Sequence, residues 1–581
     1  MSAFLSELRR RNVIKVGIAY AIVAWILIQV VVSVKAPLKL PDWSDTLIIL
    51  ILAVGFPVAL ILAWAFERTP QGVRRTPAAE PAAVAGLAEA DDDTPSIAVL
   101  PFADMSSEKD QEYFADGITE ELLNSLARIK GLRVSGRTSS FYFKGKNEDL
   151  KTIGNKLGVR HILEGSVRKS GDRVRITAQL IDARSDRHLW SETYDRTLDD
   201  LFVIQEDIAK SVADALEITL GVGDMGSVPG MTRNVAAYEE YLRAGIANGV
   251  DVILPTTIDD LRKGIQHLER AVALDPDFGL AWADINYLYR TSVNLATGGL
   301  PNHQEKAAHA LQQARRVSPD SPFVLYDFNM ADLQDGAWVD AERHLNDALD
   351  AAAGYSIQGL FNFRVAQFLN IAGRLREALD YYERVRLADP MNAQSAAYLT
   401  DAYLSLGQPG MAFAEADRFA AEKGPPVVLV KASGLMAAMV TGDRAGVGKR
   451  LQDLIESESN AAISLRMQAL LDDPEAALAE LRRMLDDPAF ASPFTRNIIA
   501  IWAVYFGELQ LAFTLLREFL LSPNSLNLVF LVWRAIYRDV RRLPQFKELL
   551  REVGLVDYWR QTGKWGDFVR PVGDEDFEVT G

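Results

Sequence analysis

GLFNFRVAQFLNIAGRLREALDYYERVRLADPMN, residues Gly359–Asn392, is the stretch that decides the fold of most of this chain. Two of its small residues are repeated at a fixed interval. A glycine follows Gly373 after 34 residues, at Gly407, and an alanine follows Ala378 after 34 residues, at Ala412. A period between about 20 and 50 residues is typical of stacked structural units. Small residues let the two helices of a unit approach closely, so the stretch predicts a solenoid of helix pairs.

Further positions of the stretch indicate which repeat this is. It resembles the tetratricopeptide repeat, a family with a small residue, a turn residue, a second small residue, an aromatic and a helix-ending proline at set positions. Here these are Ala366, Gly373, Ala378, Tyr382 and Pro390. Weaker copies are GIQHLERAVALDP before Asp277, AAHALQQARRVSP before Asp320, GAWVDAERHLNDAL from Gly336 and GELQLAFTLLREFLLSP from Gly507. The resemblance implies an all-α solenoid of roughly six to eight units over residues 234–540.

Stacked helix pairs form a curved solenoid whose concave groove binds extended peptides or a partner helix. In the two best units the first helices would present four polar side chains to the groove. These are Gln367, Asn370, Gln394 and Asp401. The alternative is that they are ordinary solvated positions. Residues 541–581 are expected to form a C-terminal cap and tail, because the last unit of an array must cover its apolar face.

A small α/β domain is predicted upstream, over residues 96–222. SIAVLPF, residues 96–102, suits a buried strand, and a Gly-containing turn, KSGD, joins two later strands as a hairpin. Val174, Ile176, Ala178 and Leu180 alternate with polar residues, which predicts a strand with one buried face. Amphipathic helices over 110–128, 147–157 and 201–220 complete the order βαβαβββα, with helices packed on a mixed sheet.

Several strings of this domain occur together and in order: SIAVLPF, YFADGITEELLNSLARIKGLRVSGRTSSF, IGNKLGVRHILEGSVRKSGDRVRITAQLIDA and HLWSETYDR. In this the domain resembles the TolB-N-terminal-like (FlgO-like) domain. That domain recurs in bacterial membrane regulators and in multidomain chains described as adenylate cyclases, usually ahead of tetratricopeptide repeats. The resemblance implies an accessory or sensory role. It implies no reaction, because no cyclase catalytic domain is recognisable in this sequence.

Two apolar runs, Val16–Val34 and Thr46–Phe66, stand at the N-terminus. Each is close to the roughly 20 residues that a helix needs to cross a bilayer. Both are apolar on nearly every face, which disfavours the alternative of two buried core helices. Residues 1–68 are therefore expected to form a transmembrane helical hairpin, which AWAFERTPQGVRR at its exit also suggests by resemblance to the anchor of related chains.

Basic residues flank this hairpin on both outer sides, at Arg9–Arg11 and at Arg68, Arg74 and Arg75. Such residues favour the cytoplasmic side of a membrane. We therefore expect a two-pass protein of the bacterial inner membrane with a cytoplasmic soluble region, reached through a flexible linker at 69–95. A cleaved signal peptide and a periplasmic soluble region are the alternatives.

Composition excludes several classes of function. The 581-residue chain has a formal net charge of −16 and no cysteine. The lack of cysteine rules out disulfides, thiolate metal sites and cysteine nucleophiles, and the acidic balance disfavours nucleic-acid binding. None of the six histidines has metal-site spacing, and no nucleophile elbow or complete phosphate loop occurs. No cofactor, metal or catalytic residue is expected.

One basic cluster stands out within the α/β domain. Its members are Arg133, Arg137, Lys144, Lys146, Arg160, Arg168, Lys169, Arg173 and Arg175. These residues are candidates for contact with anionic lipid headgroups, a nucleotide or an acidic partner. They also fit the plain alternative of the solvated face of a half-buried sheet.

These observations favour a non-catalytic, membrane-anchored scaffold or regulatory adaptor that binds protein partners through its repeats. A second hypothesis is a signal-sensing module whose α/β domain binds a small ligand in a pocket lined by Tyr142, Arg160 or Trp190. An accessory role in envelope assembly and a cryptic enzyme are weaker alternatives. The sequence does not predict the oligomeric state.

Overall fold

The computed structural model describes residues 66–69, 72–75, 95–129, 131–218, 229–244, 258–292, 300–353, 355, 357–422, 425–457, 462–490, 492–522, 526–573 and 575–580. Apart from Phe66, both predicted membrane spans, 16–34 and 46–66, lie outside the described residues. Among the helices within the described residues, none combines the length and apolar character required to cross a membrane. The chain divides into two compact units, 1–84 and 85–581.

In the first unit the described residues form an antiparallel hairpin of β1, Phe66–Thr69, and β2, Gly72–Arg75. Thr69 lies opposite Gly72, so only two residues connect the strands. The end of the predicted second span and the start of the predicted linker thus pair as strands.

The second unit begins with the α/β domain, whose sheet has six strands. They are β3 Ser96–Val99, β4 Ala103–Asp104, β5 Arg133–Val134, β6 His161–Ser170, β7 Arg173–Asp182 and β8 Arg187–Thr197. The strand order is β5-β3-β6-β7-β8, with β4 also paired to β6. β3, β4 and β5 take part in parallel pairs, whereas β6, β7 and β8 are antiparallel neighbours.

Helices cover both faces of this sheet: α1 Glu112–Ala127, α2 Arg137–Phe141, α3 Leu150–Leu157 and α4 Leu201–Ala215. The alternating apolar residues of β7 are fully buried in one core with α1 and α4. Ile153 and Leu157 of α3 pack with Ile162 on the other face. Gly158 ends α3 in the left-handed conformation, with φ +64°. The predicted mixed-sheet α/β domain is confirmed; β4 and α2 are short additions that the sequence pattern did not reveal.

Helix pairs form the rest of the second unit. The helices are α5 Val235–Arg243, α6 Ile258–Leu274, α7 Gly279–Thr291, α8 His303–Val317, α9 Pro322–Gln334, α10 Trp338–Ala351, α11 Gln358–Ile371, α12 Leu375–Ala388, α13 Ala393–Ser405, α14 Pro409–Asp417, α15 Pro425–Thr441, α16 Arg444–Ile455, α17 Ala462–Ala469, α18 Pro474–Asp486, α19 Pro493–Tyr505 and α20 Leu509–Leu520. Neighbours such as α7 and α8, or α11 and α12, pack side by side. The predicted all-α solenoid of helix pairs is confirmed among the described helices.

The residues that predicted the repeat lie where helix packing requires them. Ala366, Ala378 and Ala412 have no exposed surface, because a helix of the same or the next pair crosses there. Gly373 and Gly407 occupy the turns between paired helices with φ +77°, a region that side chains disfavour. α12 ends at Ala388, shortly before Pro390, as expected of a residue that cannot continue a helix.

After α20 the chain no longer adds pairs. Residues 526–580, here called the C-terminal segment, contain 3₁₀ turns at Leu526–Trp533 and Ala535–Tyr537, helices α21 Arg538–Arg541, α22 Phe546–Glu552 and α23 Leu555–Thr562, and a hairpin of β9 Val569–Val572 and β10 Asp576–Val579. The segment shares one hydrophobic core with α10–α13 and with the last pair. It therefore lies along central units of the array as well as at its end, where the sequence predicts a cap.

The C-terminal segment is held to the end of α11 by successive backbone carbonyls. Trp533 donates its indole N–H to the Ile371 carbonyl at 3.0 Å, and Trp559 donates to Ala372 at 2.9 Å. The Asp567 amide donates to Gly373 at 2.8 Å. The last carbonyls of a helix have no partner within it. The C-terminal segment thus satisfies groups that water or a cap would otherwise satisfy.

We expect Trp533→Ala to lower the free energy of unfolding by about 3–5 kcal/mol, because it removes a fully buried aromatic and leaves a cavity. Urea unfolding followed by circular dichroism measures the change. Leu387→Ala on α12 is the control, since Leu387 is 52% exposed. If Trp533→Ala lowered the free energy of unfolding no more than the control does, the packing of Trp533 would not stabilise the fold as we expect.

Candidate functional site

The α/β domain docks onto the repeat region at the start of α2. The Gly136 amide donates to the Ala388 carbonyl at 2.8 Å, and the Ser139 amide donates to the Asp389 carboxylate at 2.7 Å. In return the Met391 amide donates to the Ser139 hydroxyl at 2.8 Å. Because Gly136, the N-cap residue of α2, has no side chain, the solenoid's Asp389 supplies the cap oxygen.

Glycine at position 136 leaves room for this close approach. A Cβ built on Gly136 would lie 2.6 Å from the Asp389 carboxyl carbon, too close for any side chain. Asn392 donates a further hydrogen bond to the same carboxylate at 3.1 Å. Burial raises the pKa of Asp389, although the hydrogen bonds from Ser139 and Asn392 oppose that shift. The docking contact therefore depends on one desolvated carboxyl group with several donors.

Three more contacts fix the domain on either side of Asp389. At the first repeat, Lys169 pairs with Glu239, and the Tyr238 hydroxyl donates to the Gly117 carbonyl at 3.2 Å. On the other side the Tyr142 hydroxyl donates to the Glu422 carboxylate. The domain is thus held at both ends, and the surfaces between those ends face each other.

A cavity of about 90 Å³ lies between the two facing surfaces. α1, β5 and the start of α2 form one wall, whereas α11, the end of α12 and the start of α13 form the other. Its polar lining includes Glu120, Asn124, Arg137, Arg364, Asp389 and Gln394. The Arg137 guanidinium lies 3.3 Å from the Glu120 carboxylate and 4.4 Å from the centre of the Phe141 ring. The cavity therefore combines charged groups of both signs from both domains.

Buried carboxyl groups lie next to this interface. Burial raises the pKa of Glu121 on α1 to about 8, and the neighbouring Glu120 adds to the shift. Burial likewise raises the pKa of Asp327 on α9 to about 7, against the opposing charge of Arg290. The pKa of Asp284 on α7 stands well above its usual range for the same reason. Burial thus shifts the pKa of all three carboxyl groups upward, which favours their protonated forms over a wider pH range than usual.

The predicted basic cluster does not form one surface. Arg173 and Arg175 pair with Asp195 on β8, and Arg160 pairs with Asp182. Two arginines donate to backbone carbonyls, Arg133 to that of Gly158 and Arg168 to that of Met105. Lys144 pairs with the carboxylates of Asp116 and Glu112. Lys146 lies over the ring of Tyr142. Arg137 is the member that reaches the cavity. Acidic neighbours compensate most of the positive charge.

The predicted groove residues also separate. Asn370 is buried and donates to the Tyr382 hydroxyl at 3.4 Å. Asp401 is buried and pairs with Arg534 of the C-terminal segment at 2.9 Å. Gln367 accepts a hydrogen bond from Arg364, and Gln394 lines the cavity. The C-terminal segment thus occupies the inner side of these units.

Of the three side chains predicted to line a ligand pocket, Tyr142 lies at the interface with Glu422. Arg160 is exposed beside Asp182, and Trp190 is half-buried on β8. The cavity residues Glu120, Arg364 and Asp389 were missed. The Asp-Pro pair at the end of α12 is visible in the sequence, but there it indicates only the end of a helix. No group of three or more potential metal ligands occurs within the described ranges.

Known proteins match parts of the chain. A family described as the HilA/YgeH-like transcriptional regulator, second domain, matches residues 92–211. A Rhizobium meliloti (strain 1021) protein named "Putative adenylate cyclase 3" is 36% identical over 239 residues, 41% of this chain and 40% of that protein. The Homo sapiens cell division cycle protein 16 homolog is 25% identical over 162 residues, 22% of this chain and 26% of that protein. The chain therefore spans less than half the length of these relatives.

Solved structures give more distant matches. PilF from Pseudomonas aeruginosa aligns with 36% of this chain and 90% of its own, at 16% identity and a TM-score of 0.29. PilW, a type IV pilus biogenesis factor, aligns with 38% and 91% at 18% identity and a TM-score of 0.29. TolB from Acinetobacter baumannii covers 23% and 31%, at 18% identity and a TM-score of 0.17. These scores are too low to confirm the TolB-N-terminal-like resemblance.

We expect Asp389→Ala to loosen the docking of the α/β domain. The Ser139 amide loses its acceptor, at a cost of about 1–2 kcal/mol, so hydrogen exchange over residues 136–141 should accelerate. Asp389→Asn keeps an acceptor oxygen and should exchange more slowly than Asp389→Ala. Asp380→Ala, at an exposed site on α12, is the control. Unchanged exchange over these residues in Asp389→Ala would contradict the capping role.

Glu121 should make folding pH-dependent. Its pKa is about 8 in the folded chain against an ordinary 4.5, so the folded state keeps a proton that the unfolded state loses. The contribution of Glu121 to the free energy of unfolding is fully present below pH 4.5 and is lost as the pH rises through about 8. Between these values the free energy of unfolding falls by up to about 1.4 kcal/mol per pH unit. Glu121→Gln should therefore flatten the profile of unfolding free energy over this interval. The exposed Glu475→Gln should leave it unchanged, and parallel profiles for wild type and Glu121→Gln would disprove the assignment.

Proposed function

We propose that this protein is a non-catalytic scaffold, anchored in the bacterial inner membrane, that binds protein partners through its repeat region. The observation that carries the proposal is the series of helix pairs among the described helices α5 to α20, an architecture that offers a long surface for protein partners. Partners bind the repeats, and the α/β domain has a regulatory role. The match of residues 92–211 to a domain of transcriptional regulators supports that role.

The outer helices of the pairs are the partner surface that we favour. The C-terminal segment packs on the inner side of α10–α13, and the α/β domain contacts α5 and the end of α12. The outer helix is the second helix of each pair. These helices, such as α10 and α18, are strongly amphipathic and carry charged residues on their exposed faces. Asp340 and Arg343 on α10, and Arg482 and Arg483 on α18, are exposed. A partner with a mixed-charge surface fits this face.

Membrane anchoring rests on the two apolar runs at 16–34 and 46–66 and on the arginines that flank them. We propose the cytoplasm for the soluble region. The TolB-N-terminal-like resemblance of the α/β domain fits the same picture of a regulator at a membrane.

Deletion of residues 1–68 should move the chain from the membrane fraction to the soluble fraction. A reporter that is active only in the cytoplasm should be active when fused after Gly581, whereas one active only outside should be silent. The melting transition of the shortened chain should match that of the full chain, which serves as the folding control. Membrane retention of the shortened chain, or activity of the outside reporter, would overturn this part of the proposal.

Charge reversal on the outer helices tests the scaffold itself. Cross-linking of the full chain in its native membrane should capture a protein partner, and the double variant Arg343→Glu with Arg482→Glu should lose most of that product. The double variant Lys151→Glu with Lys210→Glu, at exposed positions on α3 and α4 of the α/β domain, is the matched control. Equal capture by both variants would exclude the outer helices as the partner surface.

A further inference from the structure

The cavity between the α/β domain and the repeats is a site that the scaffold function does not use. It lies between two domains, where ligand sites are common. At about 90 Å³ it is far smaller than the roughly 300–1,000 Å³ of sites for drug-sized ligands. Its volume suits a small molecule of a few heavy atoms better than a nucleotide.

The charged lining defines the chemistry of the occupant. Arg137 and Arg364 supply guanidinium groups, whose planar donors suit carboxylates. Glu120 and Asp389 supply carboxylates, and Glu120 lies 3.3 Å from Arg137. These two positive and two negative groups balance. A simple anion would add an uncompensated negative charge, whereas a molecule with one charge of each sign keeps the balance.

Apolar groups complete the walls. Leu123 and Val134 come from the α/β domain, and Leu360, Phe363 and Val385 come from the repeats. They provide room for a small apolar or weakly polar side chain beside the charged groups. The cavity therefore offers guanidinium groups for a ligand's carboxylate, a carboxylate for a ligand's ammonium group, and a small apolar wall for its side chain.

We propose that this cavity binds a small zwitterionic α-amino acid, with its carboxylate at Arg137 and Arg364 and its ammonium group at Glu120. The ligand contacts both domains at once, so it stabilises the docked arrangement and couples amino-acid concentration to the position of the α/β domain. This inference goes beyond the scaffold function and does not depend on it.

Gly359 offers a way to fill the cavity without disturbing the fold. It is the second residue of α11 and lines the cavity, and a Cβ built on it meets no atom within 4 Å. Gly410 is the matched control. It is the second residue of α14, it also has open space around a Cβ, and it does not line the cavity.

The test is calorimetric titration and thermal unfolding of the full chain in detergent, with glycine, L-alanine and L-serine as probes. L-Lactate lacks the ammonium group of L-alanine, and L-alaninamide lacks its carboxylate. We expect at least one amino acid to bind saturably and to raise the melting temperature. Its affinity should exceed those of L-lactate and L-alaninamide by about tenfold or more, since each loses a charge-assisted contact.

Gly359→Leu should abolish the ligand-dependent rise in melting temperature, whereas Gly410→Leu should retain it. Arg364→Gln should weaken binding by about tenfold. This second variant tests the site independently if Gly359→Leu has a lowered melting temperature without ligand. Absence of binding by all three amino acids, equal binding of L-lactate, or an undiminished shift in both Gly359→Leu and Arg364→Gln would each overturn the proposal.

Discussion

The turn at the end of α11 is the constraint on which the repeat region depends. The successive carbonyls of Ile371, Ala372 and Gly373 accept hydrogen bonds from Trp533, Trp559 and Asp567. Next to them Arg374, which is buried, holds Glu342 and the Tyr558 hydroxyl at 2.6 and 3.0 Å. A buried charge is stable only with such partners. The central helix pair and the C-terminal segment therefore satisfy buried polar groups of each other.

This constraint explains why α11 departs from a simple repeat helix. Phe361, Phe363, Val365 and Phe368 are all buried although they lie on different sides of the helix. One side packs in the repeat, and another meets residues of the C-terminal segment, with Tyr558 6.1 Å from Phe368 between ring centres. The inner side of these central units thus belongs to the core that they share with the C-terminal segment, and it cannot at the same time be an open groove. Asn370 and Asp401, which the sequence assigns to a groove, serve this core.

Local patterns predicted much of the fold, and long-range contacts account for what they missed. The alternation in β7 and the 34-residue period of small residues are properties of neighbouring positions, so they predict a strand face and a helix pair directly. Trp559 meets Ala372 across 187 residues, and Ser139 meets Asp389 across 250. No periodicity encodes such pairs. The same holds for the basic residues of the α/β domain. The sequence shows how they are spaced, but it does not predict their acidic partners on other elements, such as Asp195 for Arg173.

Asp389 illustrates how a repeat residue acquires a second role. Its place beyond α12 is that of any turn residue in the array, yet its carboxylate caps α2 of a different domain. Gly136 makes room for it, and Asn392 donates to it from the same turn. Because the same carboxylate also lines the cavity, any change in the charge of that space acts directly on the group that docks the α/β domain. A ligand in the cavity would therefore lie beside the residue that docks the α/β domain, and it could influence the docking without an intervening element.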